Sequence, residues 1–235
     1  MHGEAFLSIL QFSDGLFPAG SYAHSFGLET YAAEGTIRDA QGVEGFLLSY
    51  LQGSVAPADV IAALASRKAA LSGRSARKQC MIVDHRLHAM KPASELRDAS
   101  RQMGRQVLRV AAALGRPFTL HGLTPDLLHA VEKEETPGHH AMAFGVVAAA
   151  LEWQEKEMAC AFLYSTCAGL VAAALRLLSL GQLAGQRILW ALGPYIARLA
   201  EEVQDKDIAD IWSFAPQIEI AAMRHARLDA RLFRS

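Results

Sequence analysis

Residues 94–114 read SELRDASRQMGRQVLRVAAAL, and this stretch decides the fold class. A 4-3-4 spacing separates four apolar side chains along one side of it, Met103, Val107, Val110 and Leu114. Because an α-helix turns once every 3.6 residues, this spacing predicts a long amphipathic helix over residues 94–114. Comparable spacing recurs along the chain, and no segment alternates with the period of two that indicates a strand. The sequence therefore predicts an all-α protein.

Turn-forming residues separate further helical segments. Asp39 precedes one of them and is predicted to cap it. That helix is predicted to end at Gly53, and Pro57 is predicted to occupy the first turn of the next. Residues 181–187, which include two glycines and two glutamines, are predicted to form a turn. Pro216 is predicted to begin the last helix.

The number of these segments sets the architecture. About ten helices with short connections predict a single-domain helical bundle over residues 1–235, because short connections place helices antiparallel beside one another. Residues 229–235 are predicted to form a flexible C-terminal tail.

The composition and charge of the chain limit the kinds of partner and compartment that we expect. Hydrophobic residues make up 51% of the chain and charged residues 20%, a surplus that a core or a large contact surface absorbs. Lys and Arg number 23 against 24 Asp and Glu, so no global charge recruits nucleic acid or an anionic membrane. Three cysteines without CxxC spacing suit a reducing cytosol, and no secretory signal precedes the first helix. We expect a cytoplasmic protein with no nucleic-acid partner.

Residues 158–175 contain no charged residue, which raises a membrane alternative. The stretch is rich in small residues rather than in Leu and Ile, so it is a poor membrane span and we expect no membrane partner. Four small residues recur within it every four positions, Ala161, Ser165, Gly169 and Ala173. Such a stripe allows close helix approach, either in the monomer core or across a subunit interface.

Four arginines recur every four residues on the other side of the 94–114 helix, Arg97, Arg101, Arg105 and Arg109. Like charges stacked at this spacing repel by a few tenths of a kcal/mol per pair, as a rough guide, unless anions compensate. The stripe is either a solvated face paired with nearby acids such as Asp98, or a docking face for an acidic partner surface.

Catalytic signatures are absent. The sequence contains no HExxH, GxSxG or Gly-Lys-Ser/Thr motif. An acidic cluster at 201–210 could hold magnesium in a helical metal-dependent enzyme, and the alternative is a solvated helix end. His85 and His88 lie three residues apart, but a closed metal site needs more ligands, so no metal site is predicted.

The composition of residues 12–29, FSDGLFPAGSYAHSFGLE, is not that of an ordinary packed helix. Their three glycines indicate close backbone approach or positive φ. A phosphate-binding loop would add a lysine, whereas the first Lys or Arg of the chain is Arg38.

Residues 17–29, FPAGSYAHSFGLE, resemble the N-terminal signature of the urease accessory protein UreF family. Four more blocks follow in the family's order: RQMGR at 101–105, AFG at 143–145, LGQLAGQR at 180–187, and SFAP at 213–216 with RLFRS at 231–235. The resemblance covers the chain from about Phe6 onward.

The resemblance implies an all-α scaffold that dimerises and is not itself an enzyme. UreF-like proteins bind a second accessory protein, UreD (also called UreH), and together recruit the GTPase UreG to apo-urease so that nickel reaches its active site. The implied role is to regulate the GTPase and assist nickel insertion. No cofactor is expected on this chain, since nickel is handled by the complex.

Matching blocks also imply partner-binding residues, to which the arginine stripe is added: Pro18, Gly20, His24, Ser25, Gly27, Glu29, Arg97, Arg101, Arg105, Gln182, Gly185, Gln186, Arg231, Leu232 and Phe233. The tail is expected to order against UreD. Deleting the segment after Leu228 is therefore predicted to leave the fold intact and to abolish UreD binding.

Overall fold

A computed structural model describes residues 3–115 and 117–235, with only the backbone of Ser21. Met1, His2 and Arg116 of the predicted domain lie outside the described residues. Across the described part of the chain there is no strand, and the helices form one bundle. The all-α prediction is confirmed.

The helices are α1 (Gly3–Ser13), α2 (Leu28–Ala33), α3 (Ala40–Tyr50), α4 (Ile61–Ala70), α5 (Ala76–Ala89), α6 (Ser94–Leu114), α7 (Leu123–Glu132), α8 (His140–Ala150), α9 (Glu155–Leu177), α10 (Gln182–Glu202) and α11 (Pro216–His225). A π-helical stretch, Leu51–Val60, joins α3 to α4. With Ala40–Ala70 counted as one continuous helix, the described residues contain ten α-helices, in agreement with the prediction.

Helix α8 is the centre of the core. Every residue from 141 to 149 is buried, and α8 packs chiefly against α4 and α6. Gly145 permits the closest approach, because a Cβ atom there would lie 2.2 Å from the carbonyl oxygen of Ala63. The two helix backbones are therefore in direct contact, and α9, α10 and the remaining helices surround this central pair.

The long helix Ala40–Ala70 corrects the prediction of a stop at Gly53 and a new start at Pro57. Pro57 has no N–H, so the carbonyl of Gly53, four residues earlier, cannot receive its usual helical bond. The N–H of Phe214 donates to that carbonyl instead, at 2.7 Å, and the N–H of Trp212 donates to the carbonyl of Pro57, at 3.2 Å. A distant segment thus satisfies the helix where the proline disturbs it, and the helix continues.

The predicted turn over residues 181–187 is also wrong. Only Gly181 precedes the helix, as its N-cap, and α10 begins at Gln182. Gly185 is what allows this, because a Cβ atom there would lie 3.0 Å from Val171 Cγ1. The glycine marks a close crossing between α10 and α9 rather than a break in the chain.

Other boundaries follow local signals. Helix α6 has the predicted bounds, Ser94–Leu114. Asp39 caps α3, where its Oδ1 accepts a hydrogen bond from the N–H of Gly42 at 2.8 Å. Pro216 stands at the start of α11.

Two helices, Ala40–Ala70 and Glu155–Leu177, are long and apolar enough to cross a membrane by length and composition alone. Their most apolar windows are 78% and 50% buried inside the bundle, and buried core helices pass the same test. The small-residue stripe of α9 is divided: Ala161 and Ala173 are buried in the core, whereas Ser165 and Gly169 are only partly buried.

Candidate partner-binding site

Glu29 joins the two ends of the resemblance, the signature segment (residues 17–29) and the tail (residues 229–235). It lies in the first turn of α2 and is 5% exposed. Its Oε1 accepts a hydrogen bond from the N–H of Leu232 at 2.6 Å, and its Oε2 accepts one from the N–H of Phe233 at 3.1 Å. One buried carboxylate thus holds the backbone of the tail.

His225, the last residue of α11, connects Glu29 to a third helix. Its Nε2 lies 2.7 Å from Glu29 Oε2, and its Nδ1 lies 2.8 Å from Glu95 Oε2 on α6. Each ring nitrogen of His225 is therefore within hydrogen-bond distance of a carboxylate oxygen. Arg231 adds a guanidinium group, 3.5 Å from Glu95 Oε1. The cluster balances two acids with two basic groups and closes α2, α6, α11 and the tail together.

The signature also contacts the last residue, Ser235. The N–H and the hydroxyl of Ser25 both donate to the carbonyl oxygen of Ser235, the hydroxyl at 2.9 Å. His24 Nδ1 lies 2.7 Å from the Ser235 hydroxyl. Burial, and then the charge of Arg234, lower the pKa of His24 to about 4, so its imidazole is neutral at pH 7. These side chains hold the tail and are not exposed to solvent.

Arg176 of α9 packs against the aromatic ring of Phe233 in the tail. Its guanidinium carbon lies 4.1 Å from the ring centre of Phe233 and 3.7 Å from that of Tyr22. Its Nη2 also donates to the carbonyl of Tyr22 at 2.6 Å. Phe233 is 4% exposed, whereas its neighbour Leu232 is 60% exposed. The tail therefore buries Phe233 in the fold and exposes Leu232 to solvent.

The glycines of the signature have different roles. Gly27 has φ of +88° and a Cβ atom there would lie 3.2 Å from the backbone of both Ile218 and Ala222, so it permits α11 to approach. Gly20 also has positive φ, +86°, but open space surrounds it. Pro18 is exposed.

The arginine stripe of α6 is mostly engaged within the chain. Arg97 Nη1 donates to the carbonyls of Lys91 and Pro92, each at 2.7 Å. Arg101 Nε donates to the carbonyl of Pro137 at 3.3 Å, and its Nη1 lies 3.6 Å from Asp98. Further along, Arg101, Arg105 and Arg109 line one open groove. Only this second part of the stripe faces solvent as a basic surface.

Gln182 and Gln186 are exposed in the first two turns of α10, and Gly185 between them is buried against α9. The structure therefore places the LGQLAGQR block on a separate helix from the contacts of Glu29 with the tail.

The acidic cluster at 201–210 does not converge. Asp207 and Asp210 cap a short 3₁₀ turn, where Asp210 Oδ2 accepts from the N–H of Asp207 at 2.8 Å. Glu201 pairs with Lys156 at 3.1 Å and Glu202 with Arg198 at 3.6 Å. Throughout residues 3–115 and 117–235, no three His, Cys, Asp or Glu side chains gather as metal ligands.

His88 and His139 form the closest histidine pair, with 3.1 Å between His88 Nδ1 and His139 Nε2. Asp84 orders the loop before α8 by accepting from Thr136 Oγ1 at 2.6 Å and from the N–H groups of Gly138 and His139, at 2.6 and 2.8 Å. Burial lowers the pKa of His139 to about 2, with Lys91 as the next cause, so His139 is neutral. His85 lies apart and contacts the carbonyl of Glu135 at 3.1 Å.

Sequence reasoning missed three residues of the tail contact: Glu95, Arg176 and His225. Their partners lie far away in the chain, so no local spacing indicates them. The sequence offers one signal for these three residues: His225 is a basic residue near the end of the last helix, which the sequence already predicts.

Comparison with known proteins shows which family the chain is related to. A family model described as UreF matches residues 37–193. The chain belongs to the UreF family. The UreF model includes α3 to α9 and part of α10, so the signature segment and the tail lie outside the matched residues.

Curated UreF relatives match over nearly the whole length. The urease accessory protein UreF of Bacillus sp. (strain TB-90) is 30% identical over 229 residues, which is 97% of this chain and 98% of the relative. That of Trichodesmium erythraeum (strain IMS101) is 30% identical over 231 residues, 97% of this chain and 95% of the relative. That of Corynebacterium glutamicum (strain R) is 30% identical over 232 residues, 99% of each.

Proposed function

We propose that this protein is a urease maturation scaffold that binds UreD/UreH, recruits the GTPase UreG and assists nickel delivery to apo-urease. One observation carries the proposal: Glu29 of the signature holds the backbone of Leu232 and Phe233 in the tail. Two blocks that resemble the UreF family at opposite ends of the chain are therefore packed against each other. Membership of the UreF family supports an accessory role in urease maturation.

The tail supplies the surface for UreD/UreH in this proposal. Phe233 anchors the tail, and Leu232 and Arg231 are displayed from it with 60% of Leu232 exposed. An exposed apolar side chain on a backbone that is already ordered is a suitable anchor, since less entropy is lost when a partner covers it.

Leu232→Glu tests this surface directly. We expect the variant to keep the Tm of the parent protein and to lose capture of UreD/UreH in a pull-down, because a charge replaces the anchor at the interface. Leu71→Glu is the matched control, since Leu71 is 57% exposed at the end of α4 and lies outside the tail. Full capture by Leu232→Glu would contradict the assignment of the tail surface.

The open part of the arginine stripe is the proposed docking site for an acidic surface of UreG. Arg101, Arg105 and Arg109 line one groove there, and Arg109 reaches Glu132 only at 3.9 Å. Binding through exposed charges is sensitive to salt. We expect Arg105→Glu with Arg109→Glu to weaken copurification of UreG and to reduce its dependence on ionic strength, with UreD/UreH capture unchanged.

A homodimer completes the proposal, through the outer face of α10. Trp190 is 87% exposed and Leu183 is 63% exposed on that face, and tryptophan is enriched among the residues that dominate interfaces. Light scattering of Trp190→Ser should give a monomer where the parent gives a dimer. A dimer of undiminished stability in that variant would rule out this face.

The remaining points are proposals of the same kind. We propose that the protein works in the cytoplasm, that it carries no cofactor, and that it catalyses no reaction of its own. The engagement of Asp207 and Asp210 in a cap supports the last point over a magnesium enzyme.

A further inference from the structure

A partly open apolar cavity lies between residues 12–26 and helix α9. Its volume is about 140 Å³, and aromatic and other apolar side chains form most of its wall. The lining includes Phe12, Phe17, Phe26, Met103, His140 and Gly169. Phe12 and Phe17 contact each other with ring centres 4.5 Å apart, so this part of the wall is well packed.

Gly169 opens this space. It belongs to the small-residue stripe of α9, but a Cβ atom built on it would meet no atom within 4 Å. The glycine therefore does not serve a close helix crossing, as Gly185 does. Its missing side chain leaves room on the α9 side of the cavity.

His140 forms the inner wall. Its ring is partly buried and lies 5.0 Å from the ring of Phe162 and 5.7 Å from that of Phe144. No described residue is a hydrogen-bond partner of its side chain, although both cavities that it lines reach the ring. Burial, and then Lys91, lower the pKa of His140 to about 4, so the ring is neutral and offers one N–H donor and one acceptor.

We propose that this cavity is a binding site for a small, neutral, monocyclic aromatic molecule with one hydroxyl group, such as a phenol. The volume is close to that of cavities of about 150 Å³ lined by Leu, Ile and Phe, which take up benzene. Aromatic walls suit an aromatic ring through edge and stacked contacts. The hydroxyl group supplies the hydrogen bond that His140 lacks.

The lining also sets charge selectivity. None of the described residues that line the cavity carries a positive charge, and the exposed Asp14 is one of them. A carboxylate would lose its hydration without gaining a cation. The site therefore selects phenol over benzoate.

Calorimetric titration of the full chain with phenol, benzene and benzoate tests the proposal. We expect saturable binding of phenol about fivefold tighter than that of benzene, the ratio that one neutral hydrogen bond gives, and no binding of benzoate. Absence of saturable phenol binding, or equal affinity for benzoate, would overturn it. No urease component is present, so the result is independent of the proposed scaffold function.

Two variants locate the site. Gly169→Leu fills the cavity without a backbone clash, so it should abolish phenol binding while the Tm is maintained or raised. His140→Phe should keep benzene binding and bring the phenol-to-benzene ratio to about one. Ala197→Leu, an exposed position on α10, is the control and should bind as the parent does. Parent affinity in Gly169→Leu would place the ligand elsewhere and refute the assignment.

Discussion

Nε2 of His225 lies 2.7 Å from Oε2 of Glu29, and both side chains are buried. The two residues come from opposite ends of the chain, so this contact determines how the tail lies on the signature segment. It also explains why Glu29 tolerates burial: the imidazole of His225 and two backbone N–H groups contact its carboxylate.

Glu29→Gln should destabilise the fold strongly. The amide turns one acceptor into a donor that faces the N–H groups of the tail. A buried polar group left without a partner costs about 1–3 kcal/mol, and urea unfolding monitored by circular dichroism would measure the loss. Glu34→Gln is the control, because Glu34 is exposed and pairs with Arg224 only at 3.5 Å. We expect it to cost less than about 1 kcal/mol, and equal losses would contradict this account.

Residues 229–235 are predicted to be flexible. Hydrogen exchange of their backbone amides measures that flexibility. We expect the amides of Leu232 and Phe233 to exchange slowly, since both donate to Glu29, and to exchange faster in Glu29→Gln. Equal exchange in the two proteins would mean that the tail leaves Glu29 most of the time.

Removal of residues 229–235 has a different expected outcome from the one that sequence alone suggests. The deletion removes buried Phe233 and Ser235 and leaves Glu29 without two of its donors. We therefore expect a lower Tm together with loss of UreD/UreH capture. A truncated protein with the parent Tm would show that the tail contributes nothing to the free energy of unfolding.

Gly145→Ala should prevent the closest packing in the core. The added methyl carbon would lie 2.2 Å from the Ala63 carbonyl oxygen, so α8 must move away from α4. Overpacking of this kind costs about 1–3 kcal/mol or more in urea unfolding. Gly45→Ala is matched to it, since Gly45 is an exposed helical position with open space around it. That variant should be stabilised by about 0.5–1 kcal/mol, and the same sign in both would be inconsistent with the packing described.

Acid should weaken the fold through His139. Its folded-state pKa of about 2 lies below the ordinary 6.5, so its stabilising contribution is complete above pH 6.5 and is lost as the pH falls below that value. The unfolded chain takes up a proton there that the folded chain excludes, which gives a slope of up to about 1.4 kcal/mol per pH unit. Urea unfolding between about pH 7 and pH 5 would measure it.

His139→Asn should reduce this slope whatever its effect on stability at neutral pH. His129→Asn serves as the control, since the exposed His129 meets water in both states, and its slope should match that of the parent. An unchanged slope in His139→Asn would mean that His139 gains a proton in the folded protein.

Local sequence signals predicted the helices better than the contacts between them. The bounds of α6 and the cap at Asp39 follow from spacing and capping, which operate within a few residues. The continuation of the helix through Pro57 depends on Phe214, and no rule of local propensity includes so distant a donor.

The candidate site shows the same difference between what the sequence predicts and which residues are in contact. Resemblance named Glu29 and the tail residues 231–233, but not that they touch, nor that His225 and Glu95 complete the cluster. Such contacts arise from how α2, α6 and α11 pack, and a single sequence contains no record of that packing.

The bond from Phe214 to Gly53 makes the order of synthesis matter. A nascent chain leaves the ribosome with Pro57 already in place, long before its distant hydrogen-bond donor has been translated. Until residue 214 emerges, the carbonyl of Gly53 lacks the hydrogen bond from the N–H of Phe214. The Ala40–Ala70 helix therefore gains these two hydrogen bonds only near the end of translation, and a fragment that stops short of residue 212 would lack both donors.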